Sequence, residues 1–333
     1  MPRSPAIKVR KSEAEAFRKK LMESDVLNRK LKVSRDGDFV IFPVKGDVEG
    51  YELIEWDFEE NEKMPRYQDI AEVPDELKEY LPTSFDVIGD VVIIKIPDEL
   101  KEYEKEIGSA LLKALPSARV VAADRGVKGE YRVRDLDIIA GSGGTETVHT
   151  EYGIKLKVDP ARAYFSPRLA NEHRRIAELV NDGEEIIDMF AGVGPFAIMI
   201  AKMKNVHIHA IDLNPAAVDY MEENIRMNGV AGIEPLNADA RFIVKALKAD
   251  RIIMNLPHSA VHFFEDALSA VDDGWIHYYE IVEDEKTDER TKDLKNMGAD
   301  GGKSVEVVEL IKIRNYAPGI GNYVWDLRVR EDY

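Results

Sequence analysis

The chain of 333 residues contains no cysteine. Disulfide bonds, thiolate metal centres and cysteine nucleophiles are therefore excluded. The chain also lacks any run of about 20 uncharged apolar residues, which a membrane-spanning helix requires. Its basic amino-terminal segment has no apolar stretch typical of a secretory signal. These absences predict a cytoplasmic protein without a membrane span, and we expect a monomer.

Positive charge is scarce overall, with 46 Lys and Arg against 63 Asp and Glu and a net charge of -17. Such a balance opposes binding to a phosphate backbone. The distribution is uneven, however, because residues 1–33 carry ten basic and four acidic side chains and residues 119–175 carry eleven and eight. Local basic surfaces are compatible with RNA, and solvated ion pairs on helices explain the same charges equally well.

Changes of pattern divide the chain into three predicted domains, 1–65, 72–163 and 164–333. The first two are expected to be small α+β domains. An amphipathic helix with a basic face over 7–33 and a strand over 38–44 are predicted in the first. The second is expected to contain a strand over 85–96, a helix over 97–115, and strands over 120–123, 130–136 and 145–158.

Helices and short apolar strands alternate from residue 166 onward. This pattern predicts a Rossmann-like α/β domain with a doubly wound, mostly parallel sheet, whose ligands bind at the carboxyl ends of the strands. An antiparallel edge over 275–279, 305–313 and 323–330 is expected to complete the sheet. The predicted parallel strands are 185–189, 206–211, 233–236 and 251–254, and the predicted helices are 172–180, 195–202, 215–228 and 240–248.

The segment DMFAGVGPF, residues 188–196, lies where a buried strand turns into a helix. Gly192 and Gly194 permit backbone conformations that other residues resist and allow the backbone to approach a ligand. A dinucleotide site favours a third small residue three positions later, which Ala197 satisfies only loosely. The glycines alone fit a nucleotide-like ligand or an ordinary strand–helix turn.

Polar residues end four successive strands, at Asp188, Asp212, Asp239 and Asn255. Asp212 follows the glycines by about 20 residues, where a carboxylate accepts ribose hydroxyls. Asp239 is placed to accept from an adenine amino group, and Asn255 lies where the reactive end of a cofactor would project. Each carboxylate alone is typical of a helix cap or turn. Together they predict one cofactor crevice.

The segments DMFAGVGPF, AIDLNP, NADAR and IMNLPHSA resemble motifs of class I methyltransferases. Together with YRVRDLDIIAG and YFSPRLANEHRRI, they resemble the archaeal and eukaryotic tRNA (guanine-37, N1)-methyltransferase family. The resemblance implies S-adenosylmethionine as cofactor and tRNA as substrate. It implies cofactor contacts from His173, Asp188, Phe190, Gly192, Gly194, Asp212, Leu213, Asp239, Ala240 and Asn255. His173 occupies a position where the family often has Arg.

Methylation of guanine N1 requires removal of the N1 proton and a cation near O6, where negative charge develops. By resemblance, Glu172 is the general base and Arg132 stabilises O6. Tyr164 and Asn255 are further catalytic candidates that contact or orient the target base, and Arg168 and Pro257 also contact the RNA. Without the resemblance, Glu172 is interpreted as a first-turn helix acid, Arg132 as a solvent-facing cation and Tyr164 as a core residue.

Four other functions stay open. A wybutosine-pathway aminocarboxypropyl transferase shares the fold and cofactor. The methyltransferase resemblance implies Asn-Leu-Pro at the end of the fourth strand, where this chain has Asn255-Leu256-Pro257, whereas the transferase lacks that Asn. A bifunctional methyltransferase acting on a wyosine precursor typically has an altered glycine loop, whereas the loop is intact here at Gly192 and Gly194. A nicotinamide oxidoreductase and a non-catalytic RNA-binding protein are the remaining two.

A protein-bound metal is not predicted. His207 and His209 alternate on one strand, and His258 and His262 lie four residues apart without an evident third ligand. A loosely bound Mg²⁺ that assists RNA binding is left open.

Overall fold

The computed structural model describes residues 1–61, 65–129, 131 and 133–331. The chain folds into two compact units, Met1–Ile70 and Ala71–Tyr333. Within the described ranges, no helix has the length and apolar character needed to cross a lipid bilayer.

The first unit is an antiparallel sheet of order β2-β3-β1-β4 with one long helix. The predicted helix over 7–33 is wrong at both ends. Ile7 and Val9 are buried while Lys8 and Arg10 are exposed, the two-residue period of a strand, and the observed helix ends at Glu23. The elements are β1 (Arg3–Arg10), α1 (Ala14–Glu23), β2 (Ser34–Asp36), β3 (Phe39–Pro43), β4 (Ile54–Asp57) and α2 (Tyr67–Ile70).

The second unit begins with a sheet of order β5-β6-β7-β8 and a separate β9-β10 hairpin. The strand predicted over 85–96 is two antiparallel strands, because Gly89 turns the chain with φ +55°. A Cβ at Gly89 would lie 2.2 Å from Thr147 Oγ1, so no larger residue fits. The elements are β5 (Asp86–Ile88), β6 (Val91–Ile94), α3 (Glu104–Ala114), β7 (Val120–Lys128), β8 (Val133–Gly141), β9 (Thr147–Glu151) and β10 (Ile154–Val158).

A seven-stranded sheet of order β13-β12-β11-β14-β15-β17-β16 forms the rest of this unit. Its first five strands are parallel, and β17 runs antiparallel to both β15 and β16. The predicted Rossmann-like sheet is therefore confirmed, with β17 as its antiparallel strand. The strand expected at the antiparallel edge over 275–279 is instead parallel to β14, as part of β15. The strands are β11 (Glu185–Asp188), β12 (His207–Asp212), β13 (Ile233–Asn237), β14 (Arg251–Met254), β15 (Asp273–Glu283), β16 (Lys303–Ala317) and β17 (Ile320–Glu331).

Helices cover both faces of this sheet, and each face has its own apolar core. The chain order changes direction at β11, which pairs with β12 on one side and β14 on the other. Ligands bind doubly wound sheets at such a switch point, beyond the carboxyl ends of the strands. The helices are α4 (Ala170–Leu179), α5 (Pro195–Met203), α6 (Pro215–Asn228), α7 (Ala240–Ile243), α8 (Phe264–Ala270) and α9 (Thr287–Asp300).

Candidate active site

The turn between β11 and α5 contains two glycines with left-handed backbone. Gly192 has φ +56° and Gly194 φ +85°, which residues with a Cβ rarely adopt. Packing adds a second constraint, since a Cβ at Gly194 would lie 2.9 Å from Met221 Cγ. The Gly192 N–H also donates to Asp212 Oδ2 at 2.7 Å. The turn is therefore fixed against the end of β12, in a conformation that lets a ligand approach the backbone.

Asp188 ends β11 at the start of this turn and is fully buried. Neither of its carboxylate oxygens has a hydrogen-bond partner of good geometry among the residues that the structure describes. Burial raises the pKa of Asp188 to about 7, opposed by the Phe190 N–H and reinforced by the charge of Asp212. A buried carboxylate that no well-aligned donor satisfies is unfavourable. The site therefore fits a cationic ligand, and the methionine part of S-adenosylmethionine carries positive charge.

The ends of β12 and β13 are hydrogen-bonded to each other. Asn237 Nδ2 donates to the carbonyl oxygens of Asp212 and Leu213, at 3.0 and 3.1 Å. Asp212 Oδ1 accepts from the Asn214 N–H at 2.8 Å, and burial raises the pKa of Asp212. Each Asp212 oxygen has one backbone donor and keeps a second acceptor position, which suits a ribose hydroxyl. Leu213 is 47% exposed and offers an apolar surface beside it.

Asp239 is the N-cap of α7 and accepts from the Arg241 N–H at 3.0 Å. The Arg241 guanidinium also pairs with its carboxylate, and this hydrogen bond lowers the pKa of Asp239. Asp239 therefore has the capping role that an isolated carboxylate has at such a position. Arg241 would compete with an adenine amino group for the same oxygens, whereas the adjacent Ala240 is buried and small.

Glu172 lies in the first turn of α4, is 5% exposed and accepts three hydrogen bonds. Arg175 donates through Nε to Oε2 at 2.8 Å and through Nη2 to Oε1 at 2.7 Å. The Tyr279 hydroxyl donates to Oε1 at 2.6 Å. A carboxylate offers about four acceptor positions, so one position remains, on Oε2. Tyr279 packs 6.0 Å from the ring of Phe196 in the first turn of α5, which links Glu172 to the helix that follows the glycine turn.

A buried polar network extends from Arg175 across the sheet. Arg175 donates to Asp326 at 2.6 and 3.2 Å, and His277 Nδ1 lies 2.6 Å from Asp326 Oδ1. Arg251 Nη1 lies 2.7 Å from His277 Nε2. Because arginine only donates, Nε2 accepts and the Nδ1–H donates to Asp326. Burial alone would raise the pKa of Asp326, but hydrogen bonds from His277 and Arg175 hold it at about 2.

Arg132 lies outside the described residues, so the structure places only its neighbours. Arg134 Nη2 and Arg168 Nε each donate to Asp86 at 2.7 Å. Burial disfavours the ionised Asp86 carboxylate, but the two arginines outweigh it and lower the pKa of Asp86. This clamp joins β8 to the segment that precedes α4. The side chain of Arg168 remains 47% exposed.

Tyr164 is 48% exposed, so the assignment of this residue to the core is wrong. A Cβ at Gly192 would lie 3.4 Å from the Tyr164 carbonyl oxygen, which places Tyr164 beside the glycine turn. Asn255 follows β14, and its side chain makes no hydrogen bond to any described residue. The Pro257 carbonyl accepts from the Ile281 N–H at 2.9 Å, which holds the loop against β15.

His173 has partners other than the predicted cofactor. It is 1% exposed, its Nδ1 lies 2.6 Å from Glu151 Oε1, and its ring packs edge-on at 4.6 Å from Phe196. The side chain therefore fills the space between the β9-β10 hairpin and α5. The other predicted aromatic contact, Phe190, is partly buried against the ring of Phe263.

A cavity of about 710 Å³ lies away from the glycine turn, between β5 and β9. It is lined by residues 87, 89–90, 146–150 and Lys157. None of the predicted cofactor or substrate residues lines it. The carboxyl ends of the parallel strands at the switch point are the better indicator of the active site, because Asp212 and the glycine turn meet there.

Three family models match the chain. The TRM5/TYW2 methyltransferase domain matches residues 147–308, the TYW2 N-terminal domain 69–145 and the tRNA methyltransferase 5 N-terminal domain 6–52. The tRNA (guanine(37)-N(1))-methyltransferase Trm5b of Pyrococcus abyssi is 44% identical, over 97% of this chain and 98% of that protein. The chain belongs to the TRM5/TYW2 methyltransferase family.

Solved structures agree with this membership. The crystal structure of Trm5b from Pyrococcus abyssi covers 98% of this chain and 99% of that one, with a TM-score of 0.76 at 44% identity. The complex of aTrm5 with tRNALeu covers 97% and 99%, with a TM-score of 0.71 at 34% identity. A tRNA(Phe) (4-demethylwyosine(37)-C(7)) aminocarboxypropyltransferase of Methanocaldococcus jannaschii is 34% identical over 73% of this chain and 97% of that protein.

The enzyme is thus an S-adenosylmethionine-dependent methyltransferase, and the nicotinamide oxidoreductase and the non-catalytic RNA-binding protein are set aside. The acceptor groups fit this cofactor, since Asp188, which has no well-aligned donor, suits its positive charge and Asp212 suits its ribose hydroxyls.

Sequence reasoning missed the side chains that hold Glu172. Arg175 had a signal, because a residue three positions later on a helix lies on the same face. Tyr279 and Asp326 had none, since they lie 107 and 151 residues from their partners Glu172 and Arg175.

Proposed function

We propose that the enzyme transfers the methyl group of S-adenosylmethionine to N1 of guanosine 37 in tRNA, next to the anticodon. The observation that carries this proposal is Glu172, a buried carboxylate linked to the glycine turn through Tyr279 and Phe196, with one acceptor position left on Oε2. The named activity of the relatives supports the choice of nucleoside.

Glu172 acts as the general base. Guanine N1 carries a hydrogen at neutral pH, and its lone pair becomes nucleophilic only as that proton leaves. The base must therefore reach N1 within a hydrogen-bond distance. Oε2 of Glu172 accepts the proton, while Arg175 and Tyr279 hold the carboxylate in orientation. Arg132 stabilises the negative charge that develops on O6.

The cofactor is held along the carboxyl ends of β11, β12 and β13. Bound S-adenosylmethionine would supply an activated methyl group on a positively charged sulfur. Asp188 balances positive charge on the cofactor, and Asp212 accepts from the ribose hydroxyls. The glycine turn allows close backbone approach. Phe190, Gly192, Gly194, Leu213, Asp239, Ala240 and Asn255 complete the proposed contacts.

Exposed groups around this crevice bind the RNA. The ring of Tyr164 is available for stacking on the target base, and Arg168, fixed by Asp86, directs a cation outward. Asn255 has a side chain without a protein partner in the described part of the chain, and Pro257 stiffens its loop. Access to N1 requires the base to leave the anticodon stack.

The test is incubation of the purified enzyme with S-adenosylmethionine and an unmodified tRNA transcript, followed by nucleoside mass spectrometry. A matched transcript carries adenosine in place of guanosine 37. We expect 1-methylguanosine from the first transcript and none from the second. Equal methylguanosine from both transcripts, or none from either, would overturn the proposal.

Aminocarboxypropyl transfer and methylation of a wyosine precursor are the alternative functions. Similarity to an aminocarboxypropyltransferase and to the TYW2 N-terminal domain favours the first. The same assay separates the activities, since an aminocarboxypropyl group and a methyl group differ in mass. A tRNA bearing the wyosine precursor tests the second.

A cytoplasmic location, a monomeric state and assistance by Mg²⁺ remain predictions. Size-exclusion chromatography with light scattering tests the monomer, and methylation with and without Mg²⁺ tests the ion.

A further inference from the structure

Two histidines and a glutamate gather at the edge of the seven-stranded sheet opposite the cofactor crevice. Glu185 and His207 are the first residues of β11 and β12 and are register partners. His209 follows two residues later, and side chains two apart on a strand point to the same face. The alternation seen in the sequence therefore brings both imidazoles together.

The ligating atoms of these side chains are close to one another. His207 Nδ1 lies 2.8 Å from Glu185 Oε2, and the rings of His207 and His209 are 4.7 Å apart. One nitrogen or oxygen of each of the three residues lies within 4.8 Å of those of the other two. Zinc–nitrogen and zinc–oxygen bonds are about 2.0–2.2 Å long, so small side-chain rotations bring all three atoms onto one ion.

One ring nitrogen of His209 lacks a hydrogen bond. Its Nδ1 is buried and lies 2.8 Å from Glu234 Oε2, yet the alignment does not make a hydrogen bond, so this nitrogen has no hydrogen-bond partner within the described ranges. Glu234 is the register partner of His209 on β13. A small side-chain rotation would let Glu234 accept from His209 Nδ1, and a carboxylate in that position orients a ligating imidazole towards a metal.

We propose that Glu185, His207 and His209 bind a divalent transition-metal ion of the Zn²⁺ class. Two imidazoles and one carboxylate favour Zn²⁺ over Mg²⁺ or Ca²⁺, which prefer oxygen ligands alone. Water occupies the remaining coordination position. Side chains of Glu185 and His207 are 51% and 44% exposed, so an ion enters from solvent.

The ion has a structural role. It connects the amino ends of β11 and β12 directly and β13 through Glu234, at the edge away from Asp188 and Asp212. Because the unfolded chain does not hold these side chains together, the bound ion favours the folded state by mass action. Methyl transfer does not require it.

The experiment is isothermal titration of the full-length, tag-free enzyme with Zn²⁺ after chelator treatment. We expect one site per chain, a rise in Tm with Zn²⁺, and visible absorption bands typical of nitrogen-ligated Co²⁺ when Co²⁺ replaces it. His209→Ala and His207→Gln should each abolish binding, and Glu234→Gln should weaken it by about 10–100-fold. His262→Ala, an equivalent change outside the cluster, should leave binding unchanged.

The exposed His207→Gln variant keeps the test informative if His209→Ala fails to fold. Absence of Zn²⁺ binding by the wild-type enzyme, or binding that survives His207→Gln, would overturn the proposal. Loss of methyl transfer in His207→Gln would contradict the structural role. The outcome is independent of the tRNA assay, because it is read from metal binding and Tm.

Discussion

Asp188 and Asp326 are buried carboxylates in the same seven-stranded sheet with opposite surroundings. Asp326 receives hydrogen bonds from His277 and Arg175, which hold its pKa at about 2 despite burial. Asp188 has no partner of good geometry in the described chain, and burial raises its pKa to about 7. Side chains of the fold itself therefore satisfy Asp326, whereas neither oxygen of Asp188 has a well-aligned donor, and we propose that the cofactor completes Asp188.

The largest effect is expected from Glu172→Gln. Glu172 combines the two cases, because it accepts hydrogen bonds from Arg175 and Tyr279 and keeps one open acceptor position. An amide is a far weaker base, so single-turnover methyl transfer should fall by about 10²–10⁴-fold, with little change in cofactor or tRNA affinity. Glu178→Gln, an exposed change on the same helix, is the matched control. A near-normal rate in Glu172→Gln would remove Glu172 from the mechanism.

Asp326→Asn should destabilise the fold by about 3–5 kcal/mol, because it removes the buried charge that accepts hydrogen bonds from the partly exposed Arg175 and the buried His277. Denaturant unfolding measures this loss. Asp273→Asn, whose exposed carboxylate pairs with Arg328 on the same sheet, should cost about 1 kcal/mol or less. Equal losses in the two variants would show that burial does not distinguish these pairs.

The stability of the cofactor-free enzyme should depend on pH through Asp188. Its folded pKa of about 7 lies above the ordinary value of 3.8, so its ionised form disfavours the folded state fully above pH 7, and this penalty fades as pH falls towards 4. Between pH 7.5 and 5 the wild type should gain up to about 3 kcal/mol relative to Asp188→Asn. A constant difference in unfolding free energy between these two proteins would contradict the shift.

Asp326 has the opposite dependence, which sharpens the contrast. Its folded pKa of about 2 lies below the ordinary value, so its contribution is present above pH 4 and is lost as pH falls towards 2. Asp326→Asn should therefore change acid unfolding below pH 4, where the wild-type carboxylate loses its contribution.

The smallest effect is expected from Tyr279→Phe, which removes one of the three donors to Glu172. One hydrogen bond contributes about 1 kcal/mol, so kcat should fall by about fivefold while KM for tRNA stays constant. Tyr80→Phe, at an exposed hydroxyl, serves as the control. A change confined to KM would mean that Tyr279 does not position the base.

The sequence predicts elements well where periodicity and boundaries agree. The helix over 215–228 and the strand over 251–254 match α6 and β14, because Asn214 caps the first and apolar residues fill the second. It fails where local pattern is ambiguous. Basic residues alternating with apolar ones in β1 were interpreted as a helix face, and the turn at Gly89 was hidden within an apolar run.

The candidate site divides in the same way. Strand ends and the glycine turn are local features, so Asp188, Asp212 and Gly192 are found from spacing, and the structure brings them together. Partners supplied by strands that are distant in the sequence cannot be found from spacing. Tyr279 and Asp326 acquire their contacts only when β15 and β17 pair beside α4, and no spacing in the sequence indicates that.

The central claim is that Asp188 lacks a partner because the cofactor provides one. Calorimetric titration with S-adenosylmethionine at pH 7, in buffers of different ionisation enthalpy, measures the protons released on binding. With a pKa of about 7, roughly half of Asp188 is protonated before binding, so the wild type should release about 0.5 proton more than Asp188→Asn. Equal proton release and equal affinity in the two proteins would contradict the claim.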